Sequence, residues 1–190
     1  MKIVTYFLIL HLVTFSSFAS IFSKNKKDFL YYPGGSVKKS TSYYLKDNKK
    51  IIDGVTKEFY SSGGMQTLYT YKDGLLDGVA KEFYLFEMVK WKGMFKSGKK
   101  SGKWIFYDTK GNKKMKGIFK DGLIKEMIQY YTSGRKKRHE IYQGTQLIHL
   151  MTWDVSGNQH ADQKIEVKDN VDTGKSVNDL NFLPNTDKNS

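Results

Sequence analysis

The side chains that could carry chemistry are few and do not form a recognised catalytic or metal-binding pattern. Three histidines lie beyond the apolar N-terminal segment: His139, His149 and His160. Their spacing fits no common metal motif, and neither a Gly-x-Ser-x-Gly elbow nor a Gly-x-x-x-x-Gly-Lys-Ser/Thr phosphate loop occurs. Carboxylates such as Asp73 and Asp121 sit in turn-like sequences, where turn geometry already explains them. The absence of cysteine excludes disulfides, thiolate metal sites and cysteine nucleophiles. We therefore predict no enzymatic activity and no cofactor.

The charged residues point instead to anion binding. The chain carries a formal net charge of +13, which favours polyanionic partners. Its sharpest basic feature is a run of four residues and three lysines upstream of it: Arg135, Lys136, Lys137 and Arg138, with Lys113, Lys114 and Lys116. Adjacent strand residues point to opposite faces, so the run alone cannot form one patch. With the upstream lysines it could form a stripe that binds phosphates or anionic lipid. The alternative is a solvated edge that keeps a long sheet soluble.

The elements that must position these side chains recur along the chain. Aromatic pairs, the last of them weaker, end at Tyr32, Tyr60, Tyr84, Tyr107, Tyr131 and Trp153, with spacings of 28, 24, 23, 24 and 22 residues. A glycine follows most pairs about three residues later, at Gly35, Gly63, Gly111, Gly134 and Gly157. Tyr60, Tyr84, Tyr107 and Tyr131 are expected to occupy one place in each unit and to form a ladder that packs hairpin on hairpin. An exposed ladder could instead stack on sugars or nucleobases.

A second marker keeps step with the first. Tyr71, Phe95 and Phe119 each precede a Lys-Asp-Gly-like turn. The turn glycines are Gly74, Gly98 and Gly122. A second glycine follows the first two of them four residues later, at Gly78 and Gly102, whereas Glu126 occupies the corresponding position after Gly122. Asp-Gly and Ser-Gly supply the positive φ angles that two-residue hairpin turns require.

These patterns predict an all-β fold, an elongated antiparallel β-meander of stacked hairpin repeats with roughly ten to twelve strands. The runs between turns have strand length and are rich in aromatics. A lone hairpin is marginal in water, whereas stacked hairpins pair their edges and join their aromatic faces. The alternative is a compact β-barrel whose turns happen to be regular.

The motif of aromatic-Tyr-x-x-Gly, then aromatic-Lys-Asp-Gly, then Gly resembles the MORN repeat in its bacterial variant form. Residues 60–78 and 119–122 match best, and the resemblance covers about residues 29–157, roughly five units. The sequence departs from the pattern at Glu87 and Glu126, which replace glycines. The resemblance implies an elongated hairpin sheet that acts as a scaffold or as a lipid- or protein-contacting surface. It also implies a label of YwqK-type antitoxin, which fits poorly with an exported protein.

The ends of the chain differ from the repeats. Residues 1–19 have the three-part pattern of a signal peptide, with a cut expected after Ala19, and an uncleaved membrane anchor is the alternative. Residues 20–28 read as a basic leader. Residues 158–190 are polar with one aromatic, Phe182, and are predicted to be a disordered tail.

Together these features predict an exported, periplasmic or secreted, non-catalytic repeat protein that serves as a protein-interaction or scaffold module in the cell envelope. The expected partner is a protein or an envelope component. Peripheral binding to an anionic membrane surface and an antitoxin-like role are the alternatives, whereas nucleic acid and a small-molecule substrate are not expected.

Overall fold

The computed structural model describes residues 25–166, which form one open sheet of twelve antiparallel strands in sequence order, with no helix among them. The strands are β1 (Lys26–Tyr31), β2 (Val37–Lys46), β3 (Lys49–Phe59), β4 (Met65–Lys72), β5 (Leu75–Phe83), β6 (Val89–Lys96), β7 (Lys99–Tyr107), β8 (Lys113–Lys120), β9 (Leu123–Tyr130), β10 (Lys136–Gln143), β11 (Gln146–Trp153) and β12 (Gln159–Lys164). The predicted all-β meander of hairpins is therefore confirmed. Since β1 and β12 each pair on one side only, the sheet is not closed.

The sheet extends beyond both boundaries expected for the repeats. β1 begins at Lys26, within the basic leader, and β12 lies within the segment predicted to be a disordered tail. An edge strand needs only backbone bonds to one neighbour, so a polar segment such as Gln159–Lys164 can pair with β11 although Ala161 is its one apolar residue. The predicted signal peptide, most of the leader and residues 167–190 lie outside the described residues. No helix within residues 25–166 is long and apolar enough to cross a membrane.

Two kinds of connection alternate along the sheet. Five hairpins close with two-residue turns. In the turn of Gly144 and Thr145 only the glycine has positive φ, whereas in the other four both residues do, as in Ser97 at +48° and Gly98 at +80°. This is the type I′ geometry that matches strand twist. The other connections are five-residue loops, in which the first N–H donates to the fifth carbonyl and the fourth N–H donates to the first carbonyl. These long loops span residues 32–36, 60–64, 84–88, 108–112, 131–135 and 154–158. All six lie at the same end of the strands, because antiparallel strands alternate in direction. We call this end of the sheet the long-loop edge and the opposite end the short-turn edge.

The fourth residue of each long loop needs a left-handed backbone. It is glycine in five loops, and in the third loop it is Glu87, at φ +61°. The loop keeps its two hydrogen bonds there, so the missing glycine leaves the unit boundary unchanged.

The core is an aromatic strip on one face of β5 to β9. Trp104 is fully buried, its ring centroid 5.2 Å from that of Trp91 and 5.1 Å from that of Phe95. Its indole N–H donates to the Met94 carbonyl at 3.2 Å. The ring lies directly against the backbone of Gly93, where a Cβ atom would come within 2.2 Å of it. A single sheet can therefore bury a large indole, because the neighbouring strand presents no side chain there.

Hydrogen bonds beyond the strand ladders join consecutive hairpins at both edges. At the short-turn edge, turn amides reach back to the preceding hairpin; the Gly98 N–H donates to the Leu76 carbonyl at 2.8 Å. At the long-loop edge, tyrosine hydroxyls reach forward to the strand that ends at the next long loop. Four such bonds occur: Tyr32 to Phe59, Tyr60 to Phe83, Tyr84 to Tyr107 and Tyr131 to Trp153, at 2.8 to 2.9 Å.

We expect Gly93→Ala to destabilise the sheet by about 3 kcal/mol, because the added methyl overlaps a buried ring that has no free space to move into. Urea unfolding followed by tryptophan fluorescence measures the change. Gly34→Ala is the matched control, since nothing lies within 4 Å of a Cβ at Gly34. Equal effects of the two substitutions would contradict the packing described here.

We expect Tyr60→Phe to cost about 1 kcal/mol, because it removes one hydrogen bond and leaves the ring in place. Tyr107→Phe should change the free energy of unfolding by much less, since no partner for the Tyr107 hydroxyl occurs within residues 25–166. Thermal melts of both variants against the unaltered chain make the comparison. A larger loss for Tyr107→Phe would overturn the assignment of the hydroxyl bonds.

Candidate binding site

The first residue of each long loop determines whether its side chain bonds to the next hairpin or within its own loop. In four loops it is a tyrosine whose hydroxyl bonds to the next unit, and in two it is an aspartate, Asp108 or Asp154. The Asp108 carboxylate accepts hydrogen bonds from the backbone N–H groups of Lys110 and Asn112 and from the Asn112 side chain. The Asn112 side-chain bond, more than any other contact, lowers the pKa of Asp108 below its ordinary range. An aspartate therefore closes its own loop and reaches no neighbour.

This placement corrects the expected tyrosine ladder. Tyr60, Tyr84 and Tyr131 share one place, as predicted, but Tyr107 does not, because it is the last residue of β7 and Asp108 begins the loop. The spacing between tyrosine and glycine in the sequence indicates this difference. Glycine lies three residues after Tyr32, Tyr60 and Tyr131, but four after Tyr107. Tyr107 instead provides the carbonyl that accepts the Tyr84 hydroxyl.

Each long loop is followed by a β-bulge whose extra residue is passed over by the strand register. A lysine occupies this position in four of the six cases: Lys38, Lys90, Lys114 and Lys137. Where the loop begins with tyrosine, the bulge lysine can lie over that ring, as Lys38 does over Tyr32 at 5.6 Å and Lys137 over Tyr131 at 5.7 Å. We call Lys90, Lys114 and Lys137 the bulge lysines.

A pocket of about 220 Å³ opens at the long-loop edge between the units of Tyr84 and Tyr131, lined by residues on both sides of the loop that Asp108 begins. Its lining residues are Tyr84, Lys90, Trp91, Phe106, Tyr107, Lys114, Met115, Gln129, Tyr130 and Lys137. Aromatic rings and the Met115 thioether form an apolar floor, and the three bulge lysines stand at the rim. Among described residues the lining holds no carboxylate and no histidine.

Charge at the rim is positive but not uniform. Lys90 donates to the Glu82 carboxylate at 2.7 Å, and this hydrogen bond raises the pKa of Lys90. The same carboxylate accepts the Trp91 indole N–H, which fixes it in the sheet. Lys114 and Lys137 are exposed, and neither forms an ion pair with a residue of the described range. These two ammonium groups are therefore the free cations of the pocket.

A second hollow, of about 270 Å³, occupies the equivalent place in the first unit. Tyr32 is present there and forms part of the wall, and the Lys39–Glu58 ion pair at 3.1 Å takes the place of Met115 and Gln129. That hollow is more polar, and Lys38 is the one lysine at a bulge position in its lining. The pocket beside Asp108 is distinguished by its aromatic floor and by three lysines.

The predicted anion-binding residues do not form one stripe. Lys114 and Lys137 meet at the pocket, whereas Lys113 and Lys136 lie over the rings of Tyr130 and Trp153 at 5.1 and 5.5 Å. The other three members are engaged by the protein itself. Lys116 lies 4.0 Å from the Glu126 carboxylate, Arg138 bonds to Glu140 at 2.6 Å, and Arg135 donates to the carbonyls of Val155 and Ser156. Sequence reasoning also missed Lys90, which only the bulge register brings to the same place.

The three histidines are dispersed and are each close to one carboxylate. His139 lies 3.1 Å from Glu126, and burial lowers the pKa of its imidazole. His149 and His160 lie 2.5 and 3.7 Å from Asp162 and Asp154. No group of three or more potential ligands within residues 25–166 could hold a metal ion.

No known protein family matches the chain when its sequence is compared with family models, and the curated proteins hold no match either. The resemblance to the MORN repeat therefore stands on the residues quoted above and stays a prediction. The hairpin repeat itself is seen directly in the sheet.

Proposed function

We propose that the chain is a non-catalytic binding module of the cell envelope, which presents its long-loop edge to an acidic protein partner. One observation carries the proposal. The bulge lysines Lys90, Lys114 and Lys137, which come from three successive hairpins, surround one apolar pocket. Positive charge around an aromatic floor suits a partner that brings carboxylates at its rim and an apolar group at its centre.

A binding role is favoured over catalysis by the chemistry of the pocket. Its ionisable groups are lysines and tyrosines, and the Glu82 carboxylate that contacts two of the lining residues is held by Lys90 and Trp91. General acid–base catalysis near neutral pH draws most often on histidine or on a perturbed carboxylate. Neither type lines the pocket in the described part of the chain.

The envelope location is proposed from residues 1–19, whose pattern is typical of a signal peptide. Binding to an anionic membrane surface is less well supported than binding to a protein. Three of the seven predicted cations are engaged within the sheet, and Lys114 and Lys137 point to a local pocket rather than a flat basic face.

The test is capture from envelope extract by the full chain, expressed with its own N-terminal segment and a C-terminal tag. The double variant Lys114→Gln/Lys137→Gln removes the two free cations of the pocket. The matched control, Lys96→Gln/Lys120→Gln, removes two exposed lysines at the short-turn edge. We expect an acidic protein to be captured by the unaltered chain and the control, and at least tenfold less of it by the pocket variant.

The captured protein is then purified and titrated against the same three chains, so that direct binding is measured. Equal capture by all three would contradict the proposal. Lysine-dependent sedimentation with anionic lipid vesicles, without a captured protein, would replace it with the membrane-surface alternative.

A further inference from the structure

One tyrosine position of the long-loop edge is empty. By analogy with the other units, a tyrosine at residue 108 would extend its hydroxyl to the Tyr130 carbonyl, as Tyr84 does to Tyr107 and Tyr131 does to Trp153. Asp108 is too short and is bonded within its own loop. No hydroxyl group of residues 25–166 takes its place on the Tyr130 carbonyl. We call the space between Asp108 and Tyr130 the vacant tyrosine position.

The pocket overlaps this position and extends to the residues around Tyr84. The residues that would surround a tyrosine at 108 are the equivalents of those around Tyr84, one unit later. Lys114, Met115, Gln129 and Tyr130 correspond in this way to Lys90, Trp91, Phe106 and Tyr107, and all eight line the pocket. A cavity of about 150 Å³ is enough to hold benzene. The pocket, at about 220 Å³, therefore has room for a phenol ring and its attachment.

The surrounding charges also match a tyrosine in an acidic setting. Lys114 occupies the place from which Lys38 and Lys137 approach the rings of their own loop tyrosines at 5.6 and 5.7 Å. An ammonium group above a ring is attracted to its face. Lys114 and Lys137, the free cations of the pocket, would then lie near the residues that flank the ring in the partner.

We propose that the vacant tyrosine position binds a tyrosine side chain from an acidic segment of the partner protein. The inserted ring lies beneath Lys114, its hydroxyl donates to the Tyr130 carbonyl, and flanking carboxylates pair with Lys114 and Lys137. The partner thereby supplies the inter-hairpin bond that this unit lacks. This inference rests on the proposed function and names the chemistry of its partner.

The chain's own C-terminal segment is a poorer occupant. Residues 167–190 contain no tyrosine, and Phe182 is their single aromatic residue. A phenylalanine has no hydroxyl to give to the Tyr130 carbonyl. A tyrosine from a partner provides both a ring to fill the pocket and a hydroxyl to donate to the Tyr130 carbonyl.

The probe is the peptide acetyl-Glu-Asp-Tyr-Glu-Asp-amide, titrated into the full chain by calorimetry and by the change in tryptophan fluorescence, since Trp91 lines the pocket. Two further peptides carry Phe or Leu in place of Tyr. We expect the Phe peptide to bind roughly fivefold more weakly, which is the loss of one hydrogen bond, and the Leu peptide more weakly still. Equal affinity for the three peptides, or no binding of any, would overturn the proposal.

The decisive variant is Asp108→Tyr, which places a phenol in the position from within the chain. We expect it to lower the affinity for the Tyr peptide at least tenfold and to raise the melting temperature. The matched control is Asp154→Tyr, which makes the same change in a loop with the same two backbone hydrogen bonds and the same bonds from an asparagine to the aspartate, but with no further strand after β12 in the described range. That control should keep the peptide affinity within twofold.

Three outcomes separate this inference from the proposed function. Peptide binding that Asp108→Tyr leaves intact removes the tyrosine assignment, even if lysine-dependent capture persists. Equal capture by the unaltered chain and by Lys114→Gln/Lys137→Gln removes the proposed function itself. A gain in peptide affinity on Phe182→Ala shows that the chain's own segment fills the position, and this also overturns the assignment to a partner.

Discussion

Each hairpin of this protein depends on its neighbours for hydrogen bonds and apolar cover that its own two strands cannot supply. Strand pairing provides the first part, since twelve strands lie in sequence order and every inner strand bonds on both sides. Turn amides at one edge and tyrosine hydroxyls at the other provide the second part. The aromatic strip around Trp104 provides the third, because its rings come from several strands. A stack of this kind gains stability from interfaces between nearest neighbours.

The same dependence explains how one residue can change the junction between two hairpins. A tyrosine at the first position of a long loop bonds to the strand that ends at the next long loop, whereas an aspartate bonds within its own loop and leaves the junction without that hydrogen bond. Asp108 does this in the middle of the sheet, beside the best-buried part of the core. Asp154 does the same at the last long loop, after which only β12 follows among described residues, so no junction is left open there. The pocket thus lies at a junction between hairpins that no tyrosine hydroxyl of the described residues bridges.

Much of the fold could be predicted from the sequence, because the turns and strands depend on residues that are close together in the chain. Asp-Gly and Ser-Gly steps fix the short turns, and the regular return of aromatics and glycines fixes the repeat. Two features could not be read in this way. Glu87 adopts a conformation usually left to glycine because the rest of its loop imposes it. β12 forms from a polar segment because β11 offers it an unpaired edge.

The site was harder to predict, since it depends on contacts between residues about two dozen positions apart. Lys114 and Lys137 were expected to bind anions, but as members of a stripe that the ion pairs of Lys116 and Arg138 break up. Lys90 joins them only through the bulge register. The spacing of four residues between Tyr107 and Gly111 indicates that Tyr107 precedes its loop. The pocket lined by Met115, however, becomes apparent only when the loops are compared in the structure.

Residue-resolved hydrogen exchange of the intact chain tests the central claim most directly, that neighbouring hairpins hold one another in place. The account predicts the slowest amide exchange in β6 to β9, around Trp91, Trp104 and Met127, with protection falling stepwise toward β1 and β12. Uniform protection across all twelve strands, or faster exchange at the centre than at the edges, would contradict it.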